Sequence, residues 1–134
     1  MQALIIPASS NTPGIWFEPG SATFELTGNS IPENASEFYQ PVMGWLANHL
    51  HLLDGEQILR IKLSYFNSTS LKALYMMLKL VKDANAMGSN MRVEWHIEED
   101  DELLMETQAM LSEMLGMPME VIACGDRGAK REAI

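Results

Sequence analysis

The chain has 134 residues, the size of one compact domain. Hydrophobic residues make up 47% and charged residues 20%, values typical of globular proteins, so the intrinsically disordered class is excluded. The 18 Asp and Glu residues outnumber the 9 Lys and Arg residues, and the net charge of -9 would repel nucleic-acid phosphates and anionic lipids. We therefore expect no nucleic-acid partner.

Membrane insertion is not expected either. No apolar run approaches the roughly 20 residues that cross a bilayer, and the first residues lack the basic segment of a signal peptide. The expected location is the cytoplasm. The single cysteine, Cys124, ends an apolar stretch without a basic neighbour, so it is predicted to be a buried structural thiol.

The first predicted elements are two short strands in a region rich in Pro and Gly, residues 15–18 and 22–27. Phe24 and Leu26 alternate with polar residues, which is the period of a strand with one buried face. Pro19 and Gly20 lie between the two runs. This arrangement predicts an opening β-hairpin.

An amphipathic helix is predicted next, over residues 36–53. Its apolar side recurs at three- and four-residue spacing and consists of Phe38, Val42, Trp45, Leu46, His49, Leu50 and Leu53. Asn34 or Ser36 is a candidate N-cap. Because Pro41 removes an intrahelical hydrogen bond, the regular helix is expected to begin only near Gln40.

Strict alternation then predicts strands over 59–66 and 91–98. The apolar face of the first strand consists of Leu59, Ile61, Leu63 and Tyr65. Between the strands, apolar residues at helical spacing predict a helix over 71–87 that a glycine can cap. A last helix, over 101–116, begins with acidic residues that favour the positive end of its dipole. A final strand is predicted over 119–124.

Alternation in the central strands indicates helices on only one face of the sheet, since strands covered on both faces have continuous apolar runs. We predict an α/β fold, a mixed sheet of about five strands with its helices packed on one face. Residues 1–124 are expected to form a single domain, and residues 125–134 a flexible tail. The open face would carry Arg60, Lys62, Arg92, Glu94, His96 and Glu98.

Catalytic and metal-binding patterns are missing from the sequence. His49 and His51 are two residues apart and point in different directions on a helix, and no His or Cys spacing matches a zinc site. The acidic run 98–102 lacks the interleaved glycine of a calcium loop, so a solvated helix start is the simpler interpretation. No glycine-rich phosphate loop occurs. We therefore predict neither an enzyme nor a cofactor.

The segment Asn67-Ser68-Thr69-Ser70 lies between a predicted strand and helix. One of the four residues is expected to cap the helix, but capping does not need three consecutive hydroxyl groups. The unpaired N–H groups and positive dipole end of a helix N-terminus stabilise a phosphoryl group. The segment is therefore chemically suited to phosphorylation, which would add about -1.5 to -2 charges at neutral pH.

The layout resembles the STAS-like anti-sigma factor antagonists, in which a partner kinase phosphorylates a serine in this turn. A closer resemblance is to the SiaC family of bacterial regulatory phosphoproteins, carried by Gly28-Asn29-Ser30-Ile31-Pro32-Glu33-Asn34 and by Tyr65-Phe66-Asn67-Ser68-Thr69-Ser70-Leu71-Lys72. This resemblance implies that the unphosphorylated protein activates a GGDEF-type diguanylate cyclase. It also implies an anti-sigma-factor-type Ser/Thr kinase and a PP2C-type phosphatase as partners.

The chain departs from the family pattern, which usually reads Asn-Thr-Ser-Ser at this turn. Alignment makes Ser68 the phosphorylation site, whereas side-chain identity favours Thr69; we choose Ser68 because geometry at a helix start depends on position. The partner-binding residues implied by the resemblance are Pro32, Glu33, Asn34, Asn67, Ser68, Thr69, Ser70 and Lys72.

Three functions follow from these observations. The first is a phosphorylation-gated activator of a diguanylate cyclase in cyclic-di-GMP signalling and biofilm control. The second keeps the phosphoswitch but makes the chain an anti-sigma factor antagonist that works by partner switching. The third is a small enzyme or ligand carrier that uses the acidic run and His96, for which the sequence offers no converging polar groups.

Overall fold

The computed structural model describes residues 2–124, and among them six strands form one mixed sheet. The strands are β1 (Leu4–Ile6), β2 (Gly14–Phe17), β3 (Thr23–Ser30), β4 (Gln57–Phe66), β5 (Met91–Glu98) and β6 (Glu120–Cys124). The helices are α1 (Ala35–His49), α2 (Ser68–Ala86) and α3 (Glu102–Leu115), and a short 3-10 helix covers Leu50–Leu52.

The strands lie in the sheet in the order in which they occur along the chain. The pairs β1–β2 and β2–β3 are antiparallel, and the pairs β3–β4, β4–β5 and β5–β6 are parallel. Each crossover helix therefore moves the chain one strand in the same direction. Because such crossovers are right-handed, all three helices lie on one face, which confirms the predicted fold class. The sheet has one strand more than the five expected, namely β1.

The core lies between this face and the helices. Phe24 in β3 and Leu59 and Ile61 in β4 are fully buried, while the residues between them are half-buried on the opposite face. The helices contribute buried side chains such as Val42, Leu46, Leu74, Met77, Val81, Leu111 and Leu115. The three-to-four-residue spacing in the sequence therefore predicts the inward faces of the helices correctly.

Helix α1 begins earlier than expected. Asn34 is its N-cap, because the backbone N–H of Glu37 donates to Asn34 Oδ1 at 3.0 Å. The helix then continues through Pro41 to His49, so the prediction of a regular helix only from Gln40 was wrong. Pro41 is exposed, and the helix loses one hydrogen bond on its solvent side without a buried polar group being left unpaired.

The open face of the sheet carries the predicted charged residues in an ion-pair network centred on Glu94. Its Oε1 accepts from Arg60 Nε at 3.1 Å and lies 3.3 Å from His96 Nε2, and its Oε2 lies 3.6 Å from Arg92. Burial on its own would raise the pKa of Glu94, but the hydrogen bonds and positive charges of His96 and Arg60 outweigh it and lower that pKa.

Three remaining expectations concern the membrane, the cysteine and the tail. None of the helices within residues 2–124 is both long and apolar enough to cross a membrane. Cys124 is half-buried and lines a surface cavity, so the prediction of a buried thiol was wrong. It lies in β6, which among residues 2–124 pairs with β5 alone. The tail predicted for 125–134 lies outside the described residues.

Candidate functional site

The two segments that carry the family resemblance leave the sheet side by side. Strands β3 and β4 are parallel neighbours, and their last residues, Ser30 and Phe66, are paired in register. The backbone N–H of Asn67 donates to the carbonyl oxygen of Ser30 at 3.2 Å. The fold therefore brings together residues 31–34 and 67–70, which are distant in sequence, at the carboxyl ends of β3 and β4.

A β-bulge lies shortly before the carboxyl ends of β3 and β4. The register of β3 against β4 shifts between Gly28 and Asn29, so that Ser64 has no direct partner in β3. Gly28 has a φ of 103°, a conformation that favours glycine. Beyond the bulge the alternation reverses, and Tyr65 is 58% exposed, whereas strict alternation predicted it on the buried face. That prediction was wrong because the extra residue turns Tyr65 outward.

Asn67 caps helix α2, as expected of one residue in the turn. Its Oδ1 accepts from the backbone N–H of Ser70 and from the hydroxyl of Thr69, both at 3.0 Å. Ser68 and Thr69 are exposed. Within the described part of the chain, no hydrogen bond involves the Ser68 hydroxyl. The Ser68 side chain is therefore accessible at the first position of the helix.

Ser70 lies beneath the turn. It is fully buried, and its hydroxyl donates to the carbonyl oxygen of Ser30 at 2.8 Å. The Ser30 hydroxyl donates to Ser70 Oγ at 2.8 Å, so the Tyr39 hydroxyl, 2.6 Å away, must donate to Ser30 Oγ. Burial raises the pKa of Tyr39, although the Ser30 hydrogen bond acts against it, so the phenol keeps its proton. These three hydroxyl groups join β3, α1 and α2.

The remaining predicted partner-binding residues differ in accessibility. Glu33 and Lys72 are exposed, and Asn34 is exposed while its side chain caps α1. Pro32 is buried. Ser70 is also buried, so a direct contact between its side chain and a partner would require the turn to open. The accessible part of the predicted surface therefore consists of Glu33, Asn34, Ser68, Thr69 and Lys72.

A cavity of about 240 Å³ lies beside the turn, between the end of β4 and the two helices α2 and α3. Ser68 lies at its rim, and Tyr65, Leu71, Leu103 and Thr107 line it. Sequence reasoning did not identify these lining residues. A signal was present, because Leu103 falls outside the spacing of the buried α3 residues Leu104, Gln108, Leu111 and Leu115.

A second cavity, of about 380 Å³, lies on the open face and includes His96 and Cys124. His96 contacts Glu94 in the ion-pair network, and no group of three His, Cys, Asp or Glu side chains within residues 2–124 could hold a metal ion. The helix start that follows the acidic run is ordinary, since Asp101 caps α3 by accepting from the backbone N–H of Leu104 at 3.0 Å. Lys62, Ser64 and Asp101 also line this cavity.

Comparison with known proteins identifies the family. The model of the SiaC family regulatory phosphoprotein matches residues 6–124. An uncharacterized protein of Pseudomonas aeruginosa strain UCBPP-PA14 is 29% identical over 125 residues, which cover 92% of this chain and 98% of that protein.

Two solved structures agree with this match. The crystal structure of apo-SiaC from Pseudomonas aeruginosa is similar with a TM-score of 0.81 and 28% identity, over 92% of this chain and 100% of that one. The crystal structure of the diguanylate cyclase SiaD in complex with its activator SiaC, from the same organism, gives a TM-score of 0.82 and 28% identity, over 90% and 98%. This chain belongs to the SiaC family of regulatory phosphoproteins and is a regulator rather than an enzyme.

Proposed function

We propose that the unphosphorylated chain binds and activates a diguanylate cyclase of its own organism, and so controls cyclic-di-GMP signalling and biofilm formation. One observation carries this proposal: the whole fold is similar to SiaC, which is found in complex with the cyclase SiaD as its activator. The accessible residues around Ser68 supply a docking surface on which a single added phosphate can act.

Phosphorylation of Ser68 is the proposed gate. A phosphate at the N-terminus of α2 is favoured by the helix dipole, by about 0.3 to 1 kcal/mol at an exposed site. The same phosphate adds about -1.5 to -2 charges, and burying it at an interface without a matched arginine cluster is strongly unfavourable. The fold should therefore survive the modification while docking fails.

The choice of Ser68 over Thr69 gains support from the hydrogen bonds of the turn. The Thr69 hydroxyl is held by the cap residue Asn67, whereas the Ser68 hydroxyl is exposed and makes no hydrogen bond with the described residues. Phosphorylating Thr69 would break its bond to Asn67. Phosphorylation of Ser68, in contrast, breaks no hydrogen bond among the described residues, which favours Ser68 as the acceptor.

The proposal includes two further partners, as the family resemblance implies. An anti-sigma-factor-type Ser/Thr kinase adds the phosphate, and a PP2C-type phosphatase removes it. The exchange takes place in the cytoplasm. The docking surface comprises Glu33 and Asn34 from one segment, and Asn67, Ser68, Thr69 and Lys72 from the other; Pro32 and Ser70 support it from beneath.

The direct test uses purified proteins from one genome. The unphosphorylated chain is titrated into the full-length cyclase, and cyclic-di-GMP synthesis is measured before and after treatment with the kinase and ATP. We expect activation before treatment and its loss afterwards. If the chain does not activate the cyclase but binds the kinase and thereby releases a sigma factor, it is instead an anti-sigma factor antagonist. Our proposal would then be wrong.

A further inference from the structure

An exposed apolar patch lies on the open face of the sheet, at its β1 end. Ile5 and Trp16 are paired in register between β1 and β2, and they are 59% and 52% exposed. The same row of paired residues continues through Glu25 and Arg60, so the patch shares the face of the charged network. Two large apolar side chains therefore lie side by side on the face opposite the helices.

Strand β1 itself offers a free edge to another strand. Within residues 2–124 it pairs with β2 alone, so the outer backbone N–H and C=O groups of Leu4–Ile6 have no strand partner. Natural proteins often place a charged side chain on such an edge to prevent pairing with a second chain. The three residues of β1 are all apolar, and only the shortness of the strand and Pro7 after it restrict pairing.

Charge favours a second copy of this chain as the occupant. Residues 1–17 contain no ionisable side chain, although the chain as a whole has a net charge of -9. The carboxylate of Glu25, beside the patch, lies 3.5 Å from Lys62 Nζ and is therefore compensated. The indole N–H of Trp16 donates to Glu18 Oε1 at 3.3 Å, which leaves the apolar ring for a partner. Two copies of this acidic chain thus meet with least repulsion at the β1 edge.

We propose that the β1 strands of two copies pair antiparallel about a two-fold axis and join their sheets into one. An antiparallel pair centred on Ile5 sets Leu4 of one copy opposite Ile6 of the other, so the strand matches itself over its whole length. The two Ile5 side chains then lie together on the open face, flanked by the two Trp16 rings. The contact is small, so the dimer is weak and depends on concentration.

The first test places a charge on the edge. Ile5→Lys should weaken self-association at least about tenfold, because two like charges then face each other across the axis. Met114→Lys is the matched control, since Met114 is 60% exposed but lies on α3, which connects β5 to β6 at the other end of the sheet. Sedimentation velocity over a wide range of concentrations measures association, and circular dichroism shows that each variant is folded.

We expect the wild type and Met114→Lys to dimerise as concentration rises, and Ile5→Lys to stay monomeric over the same range. A wild-type chain that remains monomeric throughout would overturn the proposal. A dimer that Ile5→Lys leaves unchanged, or that Met114→Lys weakens equally, would overturn it as well.

The second test measures the pairing geometry in a Cys124→Ser background, where Ile5→Cys and Trp16→Cys each introduce a single thiol. Residues directly opposite in antiparallel strands have Cα atoms about 4.5 to 5.5 Å apart, within reach of a disulfide. The two copies of position 16 would be three strand spacings apart, about 14 Å, which is too far. Oxidation with copper–phenanthroline should therefore link Ile5→Cys into a covalent dimer much faster than Trp16→Cys.

This second test also decides the matter if Ile5→Lys fails to fold. Non-reducing electrophoresis follows the covalent dimer over time. Equal rates for Ile5→Cys and Trp16→Cys would indicate random collision rather than strand pairing and would overturn the proposal.

Discussion

The hydroxyl groups of Ser30 and Ser70 form a reciprocal pair beneath the candidate phosphorylation site. Ser70 donates to the Ser30 carbonyl oxygen and Ser30 donates to Ser70 Oγ, each at 2.8 Å. Because Ser30 ends β3 and Ser70 lies in the first turn of α2, this pair fixes the start of the helix relative to the sheet. The exposed residues Ser68 and Thr69 are thereby held in place.

The first prediction concerns Ser70→Ala, which should lower the free energy of unfolding by about 1 to 3 kcal/mol, because the buried Ser30 hydroxyl loses its acceptor. Urea unfolding followed by circular dichroism measures this change. Ser68→Ala is the matched control two residues away, and it should change stability by less than about 0.5 kcal/mol, since its side chain is exposed. If Ser70→Ala is as stable as Ser68→Ala, the pair formed by Ser30 and Ser70 does not stabilise the fold.

The second prediction is the phosphoswitch at Ser68. With the cognate kinase and ATP, intact-mass analysis should find one added phosphate, and Ser68→Ala should abolish it and keep the cyclase permanently active. Ser68→Asp should bind the cyclase poorly, although aspartate carries less charge than phosphate. A loss of about 2.8 kcal/mol in binding corresponds to a hundredfold weaker complex.

Phosphopeptide mapping separates the two candidate acceptors of this switch. If the phosphate lies on Thr69 and Ser68→Ala still responds to the kinase, the site assignment is wrong while the mechanism survives. If neither residue carries phosphate, the phosphoswitch itself is wrong. Thr69→Val serves as the control, because it keeps the side-chain shape and removes only the hydroxyl that bonds Asn67.

The third prediction concerns Glu33, an exposed residue in the segment between β3 and α1. Glu33→Gln should weaken cyclase binding and leave the melting temperature nearly unchanged, because the substitution removes a charge without altering packing. Glu37→Gln is a control in the first turn of α1, which follows this segment. Binding of each variant to the cyclase is measured by calorimetry. Unchanged binding by Glu33→Gln would restrict this segment to a structural role.

The fourth prediction concerns pH and Glu94. Its pKa is lowered from the ordinary 4.5, so its ion pairs stabilise the fold above that value and lose this effect as the pH falls through the lowered pKa. Glu94→Gln should therefore cost about 1 to 3 kcal/mol at pH 7 and progressively less below pH 4.5. Glu120→Gln, at a carboxylate that is 51% exposed, should cost less than about 1 kcal/mol. A pH-independent difference between Glu94→Gln and wild type would contradict this prediction.

The sequence predicts this fold well wherever a period extends over many residues. Alternation identifies β4 and β5, and apolar spacing identifies the buried faces of all three α-helices. Strand β1 has only three residues, too few to show a period, and it is defined by pairing with β2. Tyr65 was misplaced because a bulge depends on how two strands pair, which one strand alone does not reveal.

The sequence indicates the candidate site by its motif, but it does not show the hydrogen bonds beneath the turn. Ser70 shares the helical spacing of the buried residues Leu74, Met77 and Val81, so its burial was present in the pattern. The partnership between Ser30, Ser70 and Tyr39 was not predictable, because it depends on the separation of three elements in space. The cavity beside Ser68 likewise depends on how far apart α2 and α3 lie.

The sequential order of the strands also bears on how this protein comes to be folded during synthesis. Every new strand pairs with the strand made just before it, so no strand has to be inserted between two that are already joined. The chain can therefore extend its sheet in the direction of translation, with each loop closure confined to the connection between two consecutive strands. The turn that bears Ser68 is complete once α2 has been made, and β5, α3 and β6 are added afterwards.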